Sequence, residues 1–116
     1  MEVTSNSQGN ALILMPKGRI DHASADSFSA TISTYLANCK SGDKPLILDF
    51  SQIEYVSSIG LRALMLAARQ VKAQGGQIAI AASTPMVREV FEVCRFSLVF
   101  PLFDSVDAAL SSLAVE

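Results

Sequence analysis

Leu46-Ile47-Leu48-Asp49-Phe50-Ser51-Gln52-Ile53-Glu54-Tyr55-Val56-Ser57-Ser58-Ile59-Gly60-Leu61-Arg62 passes from an unbroken apolar run, through a loop, into two serines that open a helical pattern. An apolar run without alternation fits a strand covered on both faces, as in a parallel sheet. From Ser58 to Gln74, the residues Leu61, Leu64, Met65, Ala68 and Val71 recur at helical spacing, and Gly75-Gly76 stops the pattern. Gln77 to Ala82 is a second buried-type strand. A buried strand, a helix and another buried strand in succession predict a parallel α/β unit.

The flanks extend this unit. Val3 to Ser7 and Ala11 to Lys17 read as strands, and Gln8-Gly9-Asn10 between them is a turn signal, so an antiparallel hairpin is expected. Gly18-Arg19-Ile20-Asp21 closes the second strand. Asp21 or Ser24 can cap a helix whose face carries Ala25, Phe28, Ile32, Tyr35 and Leu36, and Lys40 to Pro45 breaks it. Downstream, Thr84-Pro85 opens a helix, with a capping hydroxyl and an inner face of Val87, Val90, Phe91 and Cys94. Leu98 to Leu102 is a short edge strand, since Pro101 cannot donate to a ladder. Asp104-Ser105 starts a last helix with Val106, Ala109, Leu110 and Leu113 inward. The expected order is β-β-α-β-α-β-α-β-α: a mixed, mostly parallel sheet with an N-terminal antiparallel hairpin and about four helices, in one domain over residues 1–116.

Composition narrows the function. Half of the 116 residues are hydrophobic, enough for a core without disulfides or metal. Net charge is −2 with both signs scattered, against the basic stripe of nucleic-acid binders. Cys39 and Cys94 are far apart and match no metal spacing, so a reducing compartment is expected. Met1-Glu2-Val3-Thr4 lacks a signal-peptide layout, and no apolar run reaches the roughly 20 residues that span a bilayer. The expectation is a soluble cytoplasmic protein without direct membrane insertion.

A search for catalytic chemistry finds little. His22 beside Asp21 lacks a nucleophile elbow, and reads as a helix-start or surface residue. Gly75-Gly76 follows a helix and precedes a strand, the reverse of a phosphate-binding loop. One histidine and two distant cysteines make no zinc site. Phe96, Phe100 and Phe103 read as core. No cofactor, metal or catalytic residue is expected, and the protein reads as a non-enzyme.

The serines at the start of the central helix are the feature with a physical use. A serine there caps the helix by accepting a bond from a free backbone N–H. The same end favours a phosphate, which would add about −1.5 to −2 charge in one step and oppose docking of a partner.

The chain resembles the STAS family, named for sulfate transporters and anti-sigma-factor antagonists. Gly18-Arg19-Ile20-Asp21 is similar to the family's G-x-[IL]-D. Leu46 to Phe50, followed by Ile53-Glu54-Tyr55-Val56, resembles its central strand and loop, and Ser57-Ser58-Ile59-Gly60-Leu61 its D-S-S-G-L switch motif. Thr84-Pro85-x-Val87 with Phe91 is similar to its third helix. The resemblance covers nearly the whole chain. It implies a mixed sheet with helices mainly on one face. It also implies an antagonist that binds an anti-sigma factor, itself a serine kinase, and is released when phosphorylated; a serine phosphatase restores it. By motif position Ser58 is the implied phosphoacceptor, with Ser57 a rival because it stands where the family often has aspartate. Ile59 stands where a second serine is common, and Gly60 matches. Asp21 is expected close to the switch serine, or else as a helix cap. Ile59 and Arg62 lie off the inner helix face and are expected, with Asp21, Ser57, Ser58 and Gly60, to form the docking surface. The alternative role is a STAS scaffold or subunit without a phosphate cycle, such as a component of a lipid-transport ATPase complex.

Overall fold

The computed structural model describes residues 2–113. Its strands are β1 (Val3–Gln8), β2 (Ala11–Pro16), β3 (Gly18–Ile20), β4 (Leu46–Asp49), β5 (Ile53–Val56), β6 (Ile78–Ala81) and β7 (Leu102–Phe103). The helices are α1 (Ala25–Ala37), α2 (Ser58–Ala73), α3 (Pro85–Val93) and α4 (Val106–Leu113), with a 3₁₀ turn over Phe96–Leu98. The main sheet has the order β1-β2-β4-β6-β7. Its β1–β2 hairpin is antiparallel, and β2–β4, β4–β6 and β6–β7 are parallel.

The unbroken apolar strands behave as their composition requires. Every residue of β4 and of β6 is buried. Alternation then divides them between two cores. Leu14, Leu46, Leu48, Ile78 and Ile80 join Phe28, Ile32 and Leu36 of α1, Leu64, Ala68 and Val71 of α2, and Val87 and Phe91 of α3. Ala11, Ile13, Ile47 and Ala81 pack against Ala109 of α4 in a smaller cluster. Three helices thus share the larger core, and α4 takes the other.

Two strand expectations are corrected together. The stretch Gly18 to Ile20 does not finish β2, and Ile53 to Val56 is not loop. They pair with each other, in parallel, as a separate two-stranded sheet. Gly18 makes the departure with φ +105, a region open to glycine, and donates its N–H to the Gln52 carbonyl at 3.0 Å. Pairing two short strands away from the main sheet brings Ile20, Ile53 and Val56 into the larger core.

Local capping also departs from expectation. Thr84 occupies the N-cap of α3, but its hydroxyl makes no cap bond; it donates to the Ile53 carbonyl at 3.3 Å and ties α3 to β5. Ser24, the N-cap of α1, likewise makes no side-chain cap bond. Cys94 is exposed, not inward, because α3 ends before it; Cys39 is buried, and both are free thiols. Of Leu98 to Leu102, only Leu102 is in the edge strand. Phe96 and Phe100 are fully inside, whereas Phe103 is half-buried against the α4 core. Among the described residues, no helix is long and apolar enough to cross a membrane.

A ladder of rings fastens α3 and the following turn. Phe50 and Phe91 lie 6.3 Å apart between centroids, Phe91 and Phe96 4.9 Å, and Phe96 and Phe100 5.7 Å. Phe91 is the middle of this series and is 1 % exposed. Replacing it with alanine (Phe91→Ala) is expected to cost about 3–5 kcal/mol, read as a lower urea midpoint at unchanged slope.

Candidate functional site

The site forms where the small β3–β5 sheet ends and α2 begins. Val56 is the last residue of β5 and is paired with Ile20, the last of β3. The next residues, Asp21 and Ser57, therefore leave adjacent parallel strands side by side. Ser57 remains extended at φ −85, ψ 176 and is the N-cap of α2. Its backbone N–H donates to the Ile20 carbonyl at 2.9 Å, and its Oγ accepts from the Gly60 N–H at 3.2 Å. The hydroxyl that the motif places at the aspartate position thus does an acceptor's work, as a carboxylate there would.

Ser58 is the first residue of α2 and is exposed. Its hydroxyl has no hydrogen-bond partner among the described residues. The two serines are therefore unequal: Ser57 is half-buried and engaged in the cap, and Ser58 presents a free hydroxyl. Gly60 faces inward. A Cβ there would run into the Ile20 carbonyl oxygen and come to 3.0 Å of both Ile20 Cγ2 and Val56 Cγ1, so any larger residue would push α2 off β3. Ile59 and Arg62 point outward. Ile59 is 49 % exposed, large for an isoleucine, and Arg62 has neither an ion pair nor a hydrogen bond among the described residues.

Asp21 sits across from Ser57 in a compact loop. Its Oδ1 accepts from the Ala23 N–H at 3.1 Å and lies 3.2 Å from the Ser24 hydroxyl; Oδ2 lies 3.5 Å from Arg19 Nε. Ser24 Oγ accepts from the Asp21 N–H and donates to the Arg19 carbonyl. Partial loss of water acts to raise the Asp21 pKa. The bonds from Ala23, Ser24 and Arg19 together outweigh that and hold the carboxyl below its ordinary value. The Asp21 carboxylate bonds the Ala23 N–H and the Ser24 hydroxyl in the loop before α1, whose N-cap is Ser24.

One pair was missed by sequence reasoning. Arg19 lies over the Tyr55 ring, 4.7 Å from its centroid, because β3 and β5 put residues 19 and 55 opposite each other. The signal would have been the strand pairing itself, hidden as long as residues 53–56 were read as loop. His22 is exposed, as expected. Among the described residues no group of three or more histidine, cysteine or acidic side chains is placed to hold a metal ion.

Comparison with known proteins bears on this arrangement. The family model described as "STAS domain" matches residues 2–109. The chain belongs to the STAS domain family. A relative from Bordetella bronchiseptica, provisionally named anti-sigma factor antagonist BtrV, is 31 % identical over 112 residues, covering 97 % of this chain and 94 % of that protein. The crystal structure of an anti-sigma factor antagonist from Mycobacterium paratuberculosis superposes with a TM-score of 0.86 at 20 % identity, covering 98 % of this chain and 94 % of that one. The Bacillus cell fate determinant SpoIIAA, solved in its phosphorylated form, gives a TM-score of 0.65 at 17 % identity, over 96 % of this chain and 98 % of that one. At such identities the two solved structures speak for the fold of this STAS domain.

Two outcomes follow from the bonding at the site. Ser57→Ala is expected to cost about 1 kcal/mol in urea unfolding by loss of the α2 cap, with Ser57→Asp recovering most of it. The lowered pKa of Asp21 means that its contribution to stability is present above the ordinary aspartate value, about 3.9, and is lost as pH falls through the lowered folded-state value. Comparing unfolding of wild type with Asp21→Asn should therefore show a difference at neutral pH that shrinks in acid.

Proposed function

We propose that this STAS protein is an anti-sigma factor antagonist that works by partner switching: it binds an anti-sigma factor that is also a serine kinase, and phosphorylation at Ser58 ends the binding. The single observation that carries this is the contrast between the two serines, one locked in the cap and the other exposed with its hydroxyl unengaged. The name borne by the Bordetella relative supports the class of function, and the existence of SpoIIAA in a phosphorylated form supports the type of switch.

The chemistry asks nothing catalytic of this chain. Ser58 Oγ takes the γ-phosphoryl group of ATP held by the kinase, its proton passes to the kinase, and ADP leaves. A serine phosphatase returns the hydroxyl with water and releases inorganic phosphate. The docking surface comprises Asp21, Ser57, Ser58, Ile59, Gly60 and Arg62, with Ile59 and Arg62 making the outward contacts and Gly60 letting α2 sit close enough to β3 to form the surface. A phosphate at its centre brings charge that the partner must desolvate. Weakening the complex about 10²- to 10³-fold takes about 3–4 kcal/mol, within reach of one badly placed phosphate. The cytoplasm, where ATP and a sigma factor are found together, is the matching compartment.

Intact-mass measurement and peptide fragmentation on protein from its native host test the switch. The expected species is heavier by one phosphate, localised to Ser58. Ser58→Ala should remain bound to the co-purifying kinase when ATP is supplied, and Ser58→Glu should bind at least about tenfold more weakly than wild type. Phosphate on Ser57 would move the site. Absence of phosphate together with co-purification of an integral-membrane complex would replace the antagonist with a subunit role.

A further inference from the structure

Ser58 and Arg62 are four residues apart on α2, and both are exposed. That spacing stacks two side chains on one helix face, with Cβ atoms about 5–6 Å apart, and an acid placed N-terminal to the base is the favourable order. Arg62 is uncommitted among the described residues, and the first turn of α2 contains no acidic residue. The other arginine near this end is differently placed: Arg19 is stacked on Tyr55 and lies 3.5 Å from the Asp21 carboxylate. Arg69 is exposed two turns beyond Arg62, about 16 Å along the helix from Ser58. Of these described arginines, Arg62 combines reach with freedom.

Resting on Ser58 as the phosphoacceptor, we propose that Arg62 is the internal counter-ion of phosphoserine 58, so that phosphorylation both adds a phosphate to the docking face and withdraws Arg62 from it. In the unmodified protein the guanidinium is available to an acidic group of the partner. In the modified protein it bonds the phosphate oxygens, a geometry that its planar donors suit. One modification then removes an attraction while introducing a repulsion. The charged or titratable residues on the neighbouring elements are Arg19 on β3, Asp21 and His22 in the loop after it, and Glu54 on β5; Asp21 and Glu54 are acidic and cannot themselves bind the phosphate.

The test uses the full chain with phosphoserine placed at position 58 during translation, so that the contact is measured whether or not a cellular kinase uses Ser58; failure of that assignment appears separately, in the mass mapping. The phosphate is titrated by ³¹P NMR in a His22→Gln background, which leaves the chain without an imidazole. A phosphoserine has its second pKa near about 6. It is expected to lie lower here and to rise by about 0.2–0.4 in Arg62→Gln, with Arg62→Lys in between. The difference should shrink at about 1 M salt, where the Debye length is about 3 Å. An unchanged pKa in Arg62→Gln, or a larger rise in Arg19→Gln than in Arg62→Gln, would overturn the assignment.

Discussion

The carbonyl of Ile20 is the point on which the start of α2 depends. It accepts the Ser57 N–H at 2.9 Å, and Gly60 lies against it without a side chain to intervene. One oxygen thereby fixes both the start of α2 and the distance between that helix and β3. Everything proposed for the surface follows from this contact. Ser57 is turned into the cap, Ser58 is left as the first outward hydroxyl, and the Asp21 loop is brought alongside. The bond itself is an ordinary one, worth about 1 kcal/mol net. Its importance is positional, since a backbone N–H at position 57 and a glycine at position 60 must both be present for the helix to approach so closely.

The rest of the molecule holds that junction still. The β3–β5 pair contributes Ile20, Ile53 and Val56 to the same core as α1, α2 and the main sheet, so the small sheet cannot shift without opening buried apolar surface. Thr84 binds the Ile53 carbonyl from the far side, and the phenylalanine series from Phe50 to Phe100 fixes α3 behind it. At the other end of α2, Gln74 Nε2 donates to the carbonyls of Leu36 and Cys39, at 2.8 and 2.9 Å, and joins the tails of the two long helices. A helix anchored at both ends suits a switch that acts by surface charge. Phosphate at Ser58 would meet solvent and Arg62, leaving the packed interior as it is. Energy from the modification then goes into the partner interface, without being spent on refolding this chain.

The residues alone determined a good deal. Unbroken apolar runs at 46–50 and 77–82 marked strands buried on both sides, and the period of Leu64, Ala68 and Val71 marked α2, because burial on two faces and burial on one leave different patterns in a linear chain. The Ser-Ser start of α2 and its motif pointed to Ser58 as the candidate switch serine. Three things belonged to tertiary structure. Residues 53–56 pair with residues 18–20, and a four-residue strand outside the main sheet has too little pattern to distinguish it from loop. Arg19 meets Tyr55 only through that pairing. The division of work between Ser57 and Ser58 also came from the fold: either hydroxyl can cap a helix, and it is the Ile20 carbonyl, supplied from a strand 37 residues away in sequence, that selects Ser57 by holding its N–H. Long-range hydrogen bonds of this kind leave no local period in the sequence, and so the sequence could mark a candidate site at the start of α2 but not the different bonding of its two serines.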